Sequence, residues 1–132
     1  IPSERIVLAG FSQGGAVALH VGLRHPGRLA GLMVLSAYLV CEESVEPERS
    51  EANLGLPIFQ AHGTMDPMVP FRAGTDCRDR LVALGYDVDW RDYPMQHQIC
   101  DEEIADIGEW LRRVVAGSAA QAPPLEPRGP SG

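Results

Sequence analysis

Residues 6–20 read IVLAGFSQGGAVALH, and the fold turns on how this stretch divides. The apolar run that begins it, within a strand expected over Arg5–Gly10, does not alternate, as happens when both faces of a parallel sheet are covered. From Gly14 to Arg24 the Ala-, Val- and Leu-rich pattern is that of a buried helix, stopped by His25-Pro26-Gly27. Between them stands Gly10-Phe11-Ser12-Gln13-Gly14, a match to G-x-S-x-G. So tight a strand-to-helix turn forces its serine into an unfavourable backbone conformation. Glycines two before and two after it are expected to give the strand and helix room to approach. The hydroxyl then stands above the sheet, and the helix N-terminus behind it favours developing negative charge. The competing role for Ser12 is an ordinary helix cap. The apolar strand before it and the apolar helix after it favour a nucleophile.

Working outward, Leu29–Ser36 reads as a second buried strand and Leu56–Ala61 as a third. Cys41–Asn53 is acidic and polar, hence expected to be a solvent-facing excursion. Phe71–Leu84 is amphipathic and capped by Gly85, and Val88–Tyr93 alternates as an edge strand would. Asp101–Val115 closes the pattern with Ile104, Ile107, Trp110, Leu111 and Val114 on one helical face. From Ala116 the composition turns to Ala, Pro, Gly, Ser and Gln, so residues 116–132 are expected to be a disordered tail. Alternating strands and helices imply an α/β fold: a mainly parallel sheet flanked by helices, in one domain over residues 1–115.

Composition narrows the partners. The 132 residues carry a net charge of −7, and all 11 basic residues are arginines scattered along the chain. That disfavours nucleic acid and anionic membrane surfaces. No segment is long and apolar enough for stable membrane insertion. The three cysteines, Cys41, Cys77 and Cys100, are odd in number and far apart. They suit a reducing, cytoplasmic compartment better than a disulfide framework or a zinc site. The chain begins at Ile1 and runs almost at once into a strand, a start that looks like a cut.

In a parallel sheet, ligands meet the loops at the carboxyl ends of strands, where Ser12, Asp66 and His97 all fall. A serine nucleophile needs a base and an acid to orient it, in the chain order Ser, Asp, His for this turn type. His20 and His25 come too early, and His62 is read as stabilising a turn. His97, in YPMQHQIC, follows the acid. Asp66 lies in HGTMDPMVP, where Pro67 and Pro70 stiffen the loop. Asp76, Asp79 and Asp87 are more simply solvated surface. The backbone N–H of Gln13 is placed to meet an oxyanion.

GFSQGGA, LSAYL, PIFQAHGTMDPMVP and YPMQHQICDEEIADIGEWL resemble, in order, blocks of the phospholipase/carboxylesterase family of α/β-hydrolases. The resemblance covers nearly all of Arg5–Val115. It implies Ser12 as nucleophile, Asp66 as orienting acid, His97 as base and Gln13 as an oxyanion donor. Tyr38 and Leu39 would line the acyl pocket, with Met68 and Val69 as neighbours. No metal or organic cofactor is implied. Around the histidine, Gln96-His97-Gln98 replaces the Gly-His-Ser of many members. The family's first half has no counterpart here, so the chain resembles the C-terminal half of the fold. The expected activity is hydrolysis of short acyl esters through an acyl-enzyme. The alternatives are a thioesterase or lysophospholipase for longer chains, a catalytically silent fragment, or a non-catalytic binding module. A homodimer is left open.

Overall fold

The computed structural model describes residues 1–121, with side chains as far as residue 117. Its elements are β1 (Val7–Phe11), α1 (Gln13–Arg24), β2 (Gly31–Leu35), α2 (Glu42–Glu48), β3 (Pro57–Gly63), α3 (Phe71–Ala83), β4 (Asp87–Tyr93) and α4 (Asp101–Gln121). Short 3₁₀ turns occupy Ser3–Arg5 and Glu51–Asn53. The four strands lie in sequence order, and each neighbouring pair is parallel.

This order dictates the layers. Right-handed crossovers that step always in one direction place their helices on the same face. Leu19 and Leu23 of α1, Val45 of α2, and Cys77 and Leu81 of α3 accordingly share a core with Leu32, Val34 and Ile58. The other face is left to α4, whose Trp110 and Val114 pack on Met33, Leu35, Phe59, Ala61 and Tyr93. Even-numbered strand residues thus face one core and odd-numbered residues the other, as the two-residue strand period requires. Trp110 stacks at 5.7 Å from Phe59, and a Cβ on Gly31 would lie 3.0 Å from its ring.

Two elements differ from expectation. The Cys41–Asn53 segment holds a short helix, and it is anchored: Val45 and Asn53 are wholly buried. Asn53 Oδ1 accepts from Leu29 N, and its Nδ2 donates to the carbonyls of Gly22, His25 and Gly27. One amide therefore ties the end of α1 to the start of β2. On α4 the buried face runs through Glu103, Trp110 and Val114, with Ile107 half-buried beside them, while Ile104 is exposed. Burial drives the Glu103 carboxyl pKa up, against a lowering influence from the Cys100 backbone. Finally, α4 continues through residues 116–121, where a disordered tail was expected. Residues 122–132 of that expected tail lie outside the described residues.

Strands β1 and β4 end the sheet. All of β2 is buried, whereas Ala9 and Phe11 of β1 are exposed on the α4 side. Among the described residues, the outer edge of β1 has no strand beside it. No described helix is long and apolar enough to cross a membrane.

Removing the Trp110 ring should therefore open a cavity over β2 and β3. Trp110→Ala is expected to destabilise the chain by about 3–5 kcal/mol, whereas Val82→Ala, on an exposed position of α3, should change stability by under about 0.5 kcal/mol. Urea unfolding followed by circular dichroism measures both.

Candidate active site

Ser12 sits between β1 and α1 with φ 58° and ψ −122°, a conformation that L-residues seldom adopt. Its backbone is held from both sides. Ser12 N donates to Leu35 O of β2, while its carbonyl accepts from Gly15 N and Ala16 N. Its side chain makes no capping bond to the helix. Instead Oγ lies 2.9 Å from His97 Nε2, so the structure does not use Ser12 as an ordinary cap.

The glycines act differently from the pattern G-x-S-x-G. A Cβ on Gly10 would lie 2.1 Å from the Gly14 carbonyl oxygen, so Gly10 is indeed clearance. A Cβ on Gly14 would meet nothing within 4 Å. The second tight position is Gly15, whose Cβ would lie 2.7 Å from Ala37 Cβ and 2.9 Å from Gly10 O. The expected role of Gly14 thus passes to its neighbour, because the helix turns residue 15 toward the sheet.

Asp66 and His97 arrive from the next two strand ends. The loop after β3 is bound to the loop after β4 by Thr64 N to Tyr93 O and Met65 N to Met95 O. Gly63 lets the second loop cross directly over the end of β3, since a Cβ there would lie 2.3 Å from the Met95 and Gln96 carbonyl oxygens. Gln98 N donates to Gln96 O, a three-residue turn with His97 at its apex. His97 Nδ1 then lies 2.7 Å from Asp66 Oδ2. Asp66 Oδ1 accepts from both Met68 N and Val69 N at 2.8 Å.

An ionised carboxylate only accepts, so the hydrogen on His97 belongs on Nδ1. The neutral ring then offers Nε2 as acceptor for the Ser12 hydroxyl. Burial works to raise the Asp66 pKa and is the largest single influence on it. The Val69 amide, the His97 ring and the Met68 amide together outweigh it, and the net shift is downward. The Phe11 ring lies 4.7 Å from that of His97 and covers part of the imidazole.

The other expected positions are distributed around this line. Gln13 is the first residue of α1, where a backbone N–H has no acceptor within the helix. Tyr38 is half-buried after β2, and Leu39 packs against the core on the α1 side. Met68 is 72% exposed, whereas Val69 is buried and serves Asp66 through its backbone. Exposed Met65 and Ile99, which the sequence did not single out, lie on the same two loops as Asp66 and His97. Among the described residues, no three His, Cys, Asp or Glu side chains gather as a metal site. A cavity of about 760 Å³ opens at the opposite end of the sheet, against Ala30, Pro57 and Asp87.

A parallel sheet built by sequential crossovers, with a strained serine at a strand-to-helix turn, is the architecture of the α/β-hydrolases. The comparisons make this more specific: residues 1–115 match the phospholipase/carboxylesterase family, and the chain belongs to it. It is 44% identical over 114 residues to acyl-protein thioesterase 1 of Neurospora crassa, covering 84% of this chain and 46% of that protein. To acyl-protein thioesterase 1 of Mycosarcoma maydis it is 42% identical over 120 residues, covering 87% and 50%. The crystal structure of Arabidopsis thaliana SOBER1 superposes with a TM-score of 0.80 at 32% identity, covering 87% of this chain and 55% of that one. The chain thus spans about half the length of the curated relatives it matches.

Two outcomes follow from the geometry. Gly14→Ala should be neutral or stabilise the chain by up to about 1 kcal/mol, because alanine suits a helix better. Gly10→Ala and Gly15→Ala should each cost more than about 2 kcal/mol, since backbone or packed atoms must move. Asp66, with its folded pKa lowered, stabilises the native state above its unfolded value near about pH 4. That contribution is lost as the pH falls through the lowered folded value. Urea midpoints between neutral and acid pH should therefore fall less steeply in Asp66→Asn than in the parent.

Proposed function

We propose that this chain carries the catalytic residues of a serine hydrolase acting on acyl thioesters and esters. Ser12 is the nucleophile, His97 the general base, and Asp66 the group that orients and stabilises the imidazolium. The hydroxyl proton passes to His97 Nε2 as Oγ bonds to the acyl carbonyl carbon. The resulting oxyanion is met by the Gln13 N–H and the positive end of α1. Collapse of the tetrahedral species returns the proton to the departing thiolate or alkoxide and leaves an acyl-serine. Water, deprotonated by His97, then attacks that ester and releases the carboxylic acid.

One observation carries this reading: hydrogen-bond distances run without a break from Asp66 Oδ2 through His97 to an Oγ that caps nothing. Between short and long acyl chains, the curated relatives tip the balance. The two curated relatives matched at 44% and 42% identity are named acyl-protein thioesterase 1, which favours the thioesterase over the short-chain esterase expected from sequence. The exposed apolar side chains of Phe11, at the end of β1, and of Met65, Met68 and Ile99, on the loops that carry Asp66 and His97, give a long acyl chain something to bury against. Each methylene so buried is worth about 0.8 kcal/mol.

A fluorophosphonate probe reacts with an activated serine and is expected to label this chain. Ser12→Ala should abolish labelling, and His97→Gln should slow it by about 10³-fold or more. With thioester substrates, kcat/KM should rise from acetyl to palmitoyl. Labelling that survives Ser12→Ala, or a parent chain that is never labelled, would remove the hydrolase reading. A preference for acetyl would return the short-chain esterase to first place.

A further inference from the structure

Directly beneath the acid loop lies a residue that the proposed chemistry does not use. His62, the penultimate residue of β3, is wholly buried, and its Nε2 lies 2.8 Å from Val69 O and 3.6 Å from Asp66 Oδ2. A carbonyl only accepts, so the ring hydrogen is on Nε2 and is donated to Val69. The ring is locked in place. A Cβ on Gly74 of α3 would lie 2.5 Å from His62 Nδ1, and Phe71 meets the ring edge-on at 6.0 Å between centroids.

We propose that His62 is a positioning residue for Asp66, acting through the Val69 peptide groups. Val69 is gripped twice: its N–H donates to Asp66 Oδ1, and its C=O accepts from His62 Nε2. The first bond sets the rotation of the carboxylate, and hence where Oδ2 meets His97 Nδ1. The second bond spans the loop from His62 to Val69 and closes it at its base. The same Nε2 lies 3.6 Å from the oxygen that His97 uses, so the ring also walls one side of the carboxylate. His62 Nδ1 has no partner and is buried. A purely space-filling residue would avoid that cost, so the donor at Nε2 accounts for a polar ring in this place. Gly74 is the matching concession on α3, leaving out a side chain so that the ring fits.

This inference rests on the serine-hydrolase reading for its consequence in catalysis, but its geometry can be tested separately. In the parent chain labelled with ¹⁵N-histidine, the ring spectrum of His62 should show the Nε2–H tautomer with a slowly exchanging hydrogen. A hydrogen on Nδ1 would overturn the proposal whether or not any variant folds. His62→Gln keeps a donor of similar reach, while His62→Met fills the space without one. The low-field resonance of His97 Nδ1–H should persist in the Gln variant and be lost in a Met variant shown to be folded by circular dichroism. Fluorophosphonate labelling should slow about 10- to 100-fold in His62→Met and stay within about threefold of the parent in His62→Gln. A folded Met variant that keeps both the resonance and the labelling rate would overturn the role. A parent that shows the His62 tautomer and the low-field hydrogen, yet is never labelled, would remove the hydrolase reading and leave the positioning intact.

Discussion

Strand β1 and helix α1 cross so closely that two of their residues can carry no side chain. Gly10 and Gly15 touch across the turn, and the residue between strand and helix is held at a positive φ as a consequence. Backbone bonds on either side hold it there: Ser12 N is anchored to β2, and its carbonyl is anchored to the first turn of α1. The strain is thus imposed by well-packed elements, which is how an unfavourable conformation persists. Everything at the site depends on it, because this conformation turns Oγ away from the helix and toward His97.

The same stitching continues across the sheet. Leu35 receives the amide of Ser12, Ala61 receives that of Ser36, and Tyr93 receives that of Thr64. Each strand thereby holds the first residue beyond its neighbour, near its own carboxyl end. Residues 85 apart in sequence come within 2.9 Å because three successive strand ends are fixed to one another in this way. The loops that follow are short and braced, by Pro67 and Pro70 on one side and by the three-residue turn at His97 on the other. An imidazole and a carboxylate held so keep their mutual geometry without further ordering.

Sequential strand order has a second effect. With α1, α2 and α3 on one face, α4 covers the other among the described residues, and it reaches β2 and β3 more fully than β1. Ala9 and Phe11 are left exposed while the equivalent positions of β2 are buried. Phe11 nonetheless has a contact, the His97 ring, so this partly uncovered strand still shields the imidazole.

The order and type of the strands and of three helices, and the three polar residues of the site, could be read from the chain because each is a local signal. Hydrophobic period, helix stops, a glycine-flanked serine and the order Ser, Asp, His act over a few residues or follow from fold class. The rest depended on what folding brings near. Gly14 and Gly15 are alike in sequence, and only the position of Ala37 makes the second one indispensable. Glu103 and Ile104 lie side by side, and packing against the sheet buries the charged one. Cys41–Asn53 looks like solvent-facing chain because it is acidic and polar, Asn53 included. Its burial becomes favourable only when four hydrogen bonds, to groups 24 to 31 residues away, satisfy it. His62 reads in the sequence as stabilising a turn, but only the fold shows that its ring meets Val69 and Asp66. Local preference is encoded along the chain, but steric clearance and the satisfaction of buried polar groups are properties of pairs, and the pairs exist only in three dimensions.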